Sequence, residues 1–438
     1  MEMEDRDSMG HVTHHYHGVP GIEEYAEEVR EQNKKMRNTI AGFLGDERAA
    51  DISVSAHRLY CDLMAWSLHE QCRTGGWKLV QAFDSRGGTA DYSKVQVGPG
   101  RSEQVFYGGI ILLSRRETRL VVHMALDPTE GAEMVVTSAP GQQRHAERFA
   151  RSMQKRLAEK NLYHGRNLEL GGKLKFLELA DRSWDDIALP GSVKSAIIAH
   201  TTRFLERAPD LEPFGVSPRR GLLLTGRPGT GKTLVCKVLM NTSPGVTCIA
   251  AHAGALLSPS YIDDLYTAAA DLSPSIVVVE DIDLIGQGRM RSHYAMGDAL
   301  SRLLFALDGI QDCRNVVTVA TTNWLEILDE ALKDRPSRFD RVIQIDPPDT
   351  AQRREYLEYL SGKVPLSDEA IEFLVPKTAG LTPAQIQEVV HCAAIEADLP
   401  PDANGFWTSA FNISTLGAAL RNVRHEAEKV GFEAIRAR

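Results

Sequence analysis

The 438-residue sequence has no apolar run approaching the ~20 residues that a helix needs to cross a bilayer, so no membrane span is expected. It has no CxxC pair. Its six cysteines, Cys61, Cys72, Cys236, Cys248, Cys313 and Cys392, are scattered, which reads as reduced, structural thiols of a cytoplasmic protein. The opening MEMEDRDSMG lacks the apolar core of a secretory leader. An excess of positive charge is also missing. Fifty Lys and Arg face 59 Asp and Glu, a net charge of −9, which disfavours a long non-specific grip on nucleic acid but leaves room for a local basic patch. What is present is ordinary for a globular chain, 43% hydrophobic and 25% charged, which excludes collagen-like and wholly disordered classes. At roughly 100–200 residues per domain, two to four domains are expected.

Four segments follow from the patterning. Residues 1–45 read as a polar tail with His11, His14, His15 and His17, then a helix in which Ile22, Val29, Met36 and Phe43 recur every seventh residue. Gln32 and Thr39 interrupt that seam, so packing on its own domain or a neighbouring subunit is expected rather than a true coiled coil. Residues 46–170 read as an α+β domain. A helix is expected around Ser55–Gln71, then strands Trp77–Phe83, Val105–Leu113, Thr118–Leu126 and Met134–Thr137, then a charged helix over Gln142–Glu159. This domain shows no catalytic constellation and reads as an adaptor or client-recognition unit. Past Leu170-Gly171-Gly172 the strands become continuously apolar, at Gly221–Leu224, Val246–Ala250, Ile276–Val279 and Val316–Ala320, with helices between them. Such strands are buried on both faces, so residues 176–348 are expected to form a parallel sheet in a three-layer α/β domain. Residues 349–438 read as a small helical domain, clearest at Glu355–Leu360, Asp368–Leu374 and Ala384–Ala397.

Within the α/β domain, Gly221–Leu224 runs into Gly226-Arg227-Pro228-Gly229-Thr230-Gly231-Lys232-Thr233, which opens a helix at Leu234. This is GxxxxGK[ST] between a strand and a helix, the setting in which backbone N–H groups curl around phosphate oxygens. The helix N-terminus adds its positive dipole end. Lys232 is expected to reach the β- and γ-phosphates, and Thr233 to hold Mg²⁺ through its hydroxyl. A second strand, Ser275–Val279, ends in Glu280-Asp281-Ile282-Asp283. Carboxylates at that edge would lie beside the phosphate loop, one supporting the metal and the next polarising the attacking water. There is no NKxD, HRD/DFG or LSGGQ run to support a GTPase, protein-kinase or ABC-type reading.

With these motifs in place, the chain resembles the AAA+ ATPases of the AAA subgroup over about Ser183–Ala397, including the translocases that deliver the Rieske iron–sulfur protein. The resemblance implies a P-loop three-layer core with a helical lid, MgATP as ligand, ATP hydrolysis and a homo-oligomeric ring, most often a hexamer. It implies that Asp186, Ile187 and Ala188, and the backbone of Gly380 to Ala384, enclose adenine. Asn323, after the strand Asn315–Ala320, matches the sensor position. Arg335 and Arg338 match the two arginine fingers that act on a neighbour's nucleotide. Four departures stand out. Glu280-Asp281 reverses the family's Asp-Glu, Ser337 and Pro383 replace glycines, and the stretch Ala251–Ser260 is short, with Leu256 and Leu257 where threading members carry an aromatic. The reading that follows is a ring ATPase that remodels or chaperones protein clients. A nucleotide-gated scaffold with slow turnover is the alternative, and a nucleic-acid remodeller is disfavoured by the charge balance.

Overall fold

The computed structural model describes residues 22–45, 51–159, 162–252, 256, 259–284, 303, 313–324, 339–364, 366–396 and 411–429. They fall into two compact units, divided between Leu162 and Tyr163.

The first unit is an antiparallel sheet with helices on both faces. Its strands are β1 (Ile52–Ala56), β2 (Lys78–Phe83), β3 (Asp91–Gly98), β4 (Arg101–Arg115), β5 (Thr118–Asp127) and β6 (Gly131–Ser138), in the order β1-β6-β5-β4-β2, with β3 also on β4. Side chains alternate across a strand, so the long β4 serves two cores. Ile111 and Leu113 join Val122 and Met134 under α2 (Cys61–Gly75) and α3 (Gln143–Glu159). Leu112, with Val121 and Phe83, faces Met36 and Leu44 of α1 (Ile22–Leu44). Helix α1 therefore packs on its own unit, as its interrupted heptad suggests. The expected hairpin between the two middle strands is present, with Arg115 opposite Thr118. The expected helix from Ser55 is not. Ile52–Ala56 is a strand, a short 3-10 turn follows at Arg58–Tyr60, and the helix starts only at Cys61. Apolar Ile52, Val54 and Ala56 do alternate with Ser53 and Ser55, the pattern of a half-buried strand, and all five residues pair with β6.

The second unit is a seven-stranded sheet in the order β13-β9-β12-β11-β10-β7-β8. The members are β7 (Asn167–Leu170), β8 (Leu174–Phe176), β9 (Arg219–Thr225), β10 (Thr247–His252), β11 (Ser275–Glu280), β12 (Val316–Thr322) and β13 (Arg341–Gln344). All pairs are parallel except β7 with β8. The expected end of the first domain at residue 170 differs from this arrangement. Asn167–Glu169 pair with β10, so Gly171-Gly172 lies at a hairpin turn of the second sheet rather than in a linker.

Both faces of the sheet are covered, as the apolar strands require. Leu222, Leu224, Ile276, Val278, Val317 and Val319 meet α4 (Gly191–His200), α5 (Thr202–Leu211) and α6 (Lys232–Asn241). The alternate residues Ile249, Val277 and Val279 are equally buried, on the side of α7 (Pro259–Asp271). Each such side chain contributes about 1.5–3 kcal/mol by leaving water. Residues beyond β13 form α8 (Thr350–Ser361), α9 (Asp368–Lys377), α10 (Pro383–Glu396) and α11 (Ile413–Lys429) around a separate core that includes Leu357, Leu374, Val389 and Leu416. Among the described residues, no helix is long and apolar enough to cross a membrane.

Candidate nucleotide site

Strand β9 ends at Thr225, and α6 begins at Lys232 with Gly231 as its N-cap residue. Gly226, Gly229 and Gly231 have φ of +154°, +81° and +101°, a region that disfavours side chains. At Gly226 a Cβ would also lie 2.3 Å from Ile345 O, so the loop can leave the sheet there only as glycine. Thr230 is buried, and its hydroxyl donates to Arg227 O at 2.8 Å, closing the loop's own turn. Pro228 and Gly229 are exposed at the tip, and Arg227 is half-buried. Gly231 supplies no side-chain cap to the first turn of α6, which carries Lys232, Thr233 and Leu234. The first N–H groups of a helix have no intrahelical partner, which suits them to an anion.

Lys232 is only 6% exposed, and its Nζ donates to Gly226 O at 2.7 Å and Arg227 O at 3.1 Å. Burial pushes this ammonium below the usual lysine range, while the Asp281 and Asp283 carboxylates act in the opposite sense. The cradle is thus folded around its own cation. A polyanion would replace carbonyl acceptors with charged ones, a stronger class of partner. Thr233 is exposed on the same turn, with its hydroxyl available to a hard cation.

The carboxylates arrive from across the sheet. Strand β12 lies between β9 and β11, with Thr225 opposite Thr322 and Val279 opposite Ala320. The phosphate loop, Glu280 and Asn323 therefore share one carboxyl edge, although roughly fifty and a hundred residues separate them in sequence, and this is the edge at which open α/β sheets bind ligands. Glu280 is half-buried at the end of β11. Asp281 then takes φ +55°, and its N–H donates to Thr321 Oγ1 at 3.0 Å. Asn323 Nδ2 donates to Asp281 Oδ1 at 3.2 Å. Asp283 is 3% exposed, and its Oδ1 accepts from Thr322 Oγ1 at 3.0 Å and from Asn323 N at 3.2 Å. In the sequence Asp283 reads as one more acid of a run. Here it holds the turn that aims Asn323 at Asp281.

The segment before α4 and the helical subdomain complete the surroundings. Ser183 and Asp186 form a capping box on the 3-10 turn Trp184–Asp186. Ile187 is buried in the core under the sheet, and half-buried Ala188 packs on the helical core. Asp185, Asp186, Ile187, Ala188, Glu355, Tyr356 and Tyr359 line a small, open cleft. Nothing in the sequence spacing singles out Glu355, Tyr356 or Tyr359, which read there as ordinary positions of a helix. At the start of α10, Ala384 N donates to Gly229 O at 3.2 Å, and a Cβ on Gly229 would lie 2.9 Å from Thr382 Oγ1. Ala384 is therefore at the phosphate loop, and Gly380 is exposed with φ +79°. Arg335 and Arg338 lie outside the described residues, as does Leu257. Leu256, one of the two leucines standing where threading members carry an aromatic, is fully buried and so offers no exposed apolar grip. Tyr266 is buried against the sheet, with its hydroxyl 3.0 Å from Thr318 Oγ1.

Residues 222–347, from within β9 to just beyond β13, match the family described as ATPase family associated with various cellular activities (AAA). The chain carries an AAA ATPase domain. The AAA relatives include ATP-dependent zinc metalloprotease FtsH 2 of Sphaerobacter thermophilus, 34% identical over 225 residues, which are 49% of this chain and 34% of the relative. Protein SAV of Sulfolobus acidocaldarius is 33% identical over 51% of this chain and 29% of its own length. The chloroplastic ATP-dependent zinc metalloprotease FTSH 9 of Arabidopsis thaliana is 34% identical over 44% of this chain and 26% of its own length. The chain thus spans about a third or less of each of these AAA relatives.

Proposed function

We propose that the chain binds MgATP at this carboxyl edge, hydrolyses it, and works as a ring, hexameric in the family's usual form, that remodels protein clients. The observation that carries the reading is the meeting of Lys232, Glu280, Asp281 and Asn323 at one sheet edge around a glycine loop. In this reading the loop Arg227–Gly231 and the first turn of α6 hold the phosphates through main-chain N–H groups. Lys232 exchanges its two carbonyl partners for phosphate oxygens. Asp281, held by Asn323, orients and deprotonates the attacking water, and Asn323 reports the γ-phosphate. Thr233 and Glu280 would hold Mg²⁺, which supplies charge neutralisation on the phosphates. Arg335 and Arg338 are assigned to a neighbour's site, which makes hydrolysis depend on assembly. Asp186 to Ala188 and the Gly380–Ala384 backbone are assigned to adenine, and the helical subdomain to a lid. The first unit, residues 1–162, is assigned to client or adaptor binding.

The zinc metalloprotease activity in the FtsH names has no counterpart among these motifs. The 438 residues contain no His-Glu-x-x-His run, the pair of histidines one helical turn apart that such enzymes use to hold zinc.

Replacing Lys232 with Ala tests the reading directly. The variant is expected to lose nucleotide binding and turnover by a hundredfold or more, on the order of 3 kcal/mol for one buried charged contact. Hydrolysis at the wild-type rate by that variant overturns it. Mixing Asp281→Asn with Arg338→Ala chains tests the shared site. Partial recovery of activity is expected, and no recovery from mixtures that assemble overturns the trans assignment.

A second reading is favoured by one observation. Asp281 is one methylene shorter than the family's glutamate, and its Oδ1 is already engaged by Asn323. Slow turnover with nucleotide-dependent partner binding, measured by steady-state kinetics and pull-down, would support a nucleotide-gated scaffold instead.

A further inference from the structure

Residues 179–188 form a strap along the α/β part of the second unit. Asn241 Nδ2, in the last turn of α6, donates to Ala180 O at 2.7 Å. Trp184 Nε1 donates to Thr242 Oγ1, just past α6, at 3.1 Å, and Lys194 Nζ of α4 donates to Trp184 O at 2.7 Å. Ile187 is anchored in the core. The strap is thus fixed to the far end of the helix whose first turn carries Lys232 and Thr233.

From the opposite side, the Tyr359 hydroxyl on α8 donates to Asp186 Oδ1 at 2.7 Å. The Tyr359 hydroxyl oxygen itself accepts from Arg182 Nη1 at 2.9 Å and from Lys363 Nζ. That ammonium also lies 4.1 Å over the Tyr359 ring. Arg182 is 3.6 Å from Asp186 Oδ1, and Asp186 Oδ2 accepts from Ser183 N at 2.7 Å. Both carboxylate oxygens are therefore committed. One caps the strap's own turn, and the other holds the helical subdomain. Backbone and phenol hydrogen bonds keep the Asp186 carboxyl below its usual range, so it is ionised at neutral pH. A phenol bonded to an ionised carboxylate makes a charge-assisted contact, stronger than a neutral one. The cleft lined by Asp186, Ile187, Ala188, Glu355, Tyr356 and Tyr359 has the strap as one wall and α8 as the other.

We propose that Tyr359 is a positioning residue for nucleotide: its hydrogen bond to Asp186 fixes α8 against the strap, sets the width of the cleft, and so raises affinity without taking part in hydrolysis. The proposal rests on the nucleotide-binding reading above. The chemical logic is a separation of tasks. Among the described residues, the hydrogen-bond partners of Tyr359 are Asp186, Arg182 and Lys363 and its ring stacks on Tyr356, none of them on the phosphate loop or the carboxyl edge. A contact that shapes the binding wall alone changes ground state and transition state equally, so it moves KM and leaves kcat.

The experiment uses the full chain with Mg-ADP for calorimetric binding and MgATP for steady-state turnover. Tyr359→Phe keeps the ring and its cation contact, and removes only the hydroxyl. It is expected to raise the Kd for Mg-ADP and the KM for ATP by about five- to tenfold, a part of the stabilisation of one charge-assisted hydrogen bond because the bond acts on the nucleotide only through the cleft wall, with kcat within about twofold. Asp186→Ala is expected to weaken binding as well, and Tyr359→Phe is expected to add little in that background, because the two changes remove one bond. Three results overturn the proposal: Mg-ADP affinity of Tyr359→Phe equal to wild type, a fall in kcat at unchanged KM, or additive losses in the double variant. Wild-type protein that takes up no Mg-ADP overturns the nucleotide reading itself, and is told apart from the first of these by its missing baseline.

Discussion

His200 sits in the last turn of α4, where a helix C-terminus ordinarily favours the protonated ring. Its surroundings decide otherwise. Burial is the largest influence and pushes its pKa down, helped by the Arg220 and Arg341 guanidinium groups, with Asp340 opposing. Its Nδ1 accepts from Arg220 Nη1 at 3.0 Å, a contact that requires the neutral ring. With the folded pKa below the ordinary 6.5, the unfolded chain binds more protons as pH falls through that value, so folding stability drops there. His200→Gln is expected to lose less stability than wild type between pH 7.5 and 5.5 in urea titrations, and an identical loss would refute the assignment. At this scale the sequence was legible where chemistry follows spacing. Lys232 and Thr233 were readable from their glycines, and Glu280 and Asp281 from the strand before them. Asp283 and Tyr359 were not, because their partners Thr322 and Asp186 lie 39 and 173 residues away. No local pattern encodes a contact at such a distance.

Helices α8 and α9 illustrate what holds an element pair. Arg353 is buried, with Nε donating to Val375 O at 3.0 Å, Nη1 to Pro348 O at 2.9 Å and Nη2 to Thr350 Oγ1 at 3.2 Å. Val375 lies in the last turn of α9, where the partial negative charge of the helix end favours a cation. Arg353→Met fills similar volume but removes all three of these bonds. A loss of about 2–4 kcal/mol in urea unfolding is expected, against well under 1 kcal/mol for an exposed helical arginine. Elements with long periods were readable in advance, among them α1, α3 and the apolar strands β9 to β12. Those that failed were short. The strand β1 was absorbed into a helix, and β7 and β8 were passed over because Asn167–Leu170 and Leu174–Phe176 offer only two inward residues each. Such strands depend on a neighbour's hydrogen bonds for their existence.

Across the whole molecule, the division at Leu162/Tyr163 leaves the carboxyl edge, the strap and the helical subdomain in a single unit. Residues 163–438 alone are therefore expected to bind Mg-ADP within about threefold of the full chain's affinity by calorimetry, since a compact unit with its own core folds independently. A tenfold or greater loss would assign part of the site to the first unit. By itself the sequence determined that a glycine loop and an acidic strand end exist, that the surrounding strands are buried on both faces, and that helices follow them. Those properties are local: backbone freedom, charge and the period of apolar residues. Only the tertiary structure decided that β12 lies between β9 and β11, placing Asn323 against Asp281, and that Tyr359 closes on the strap. Strand order and long-range polar pairs arise from packing all layers at once, and no short stretch of residues carries that information.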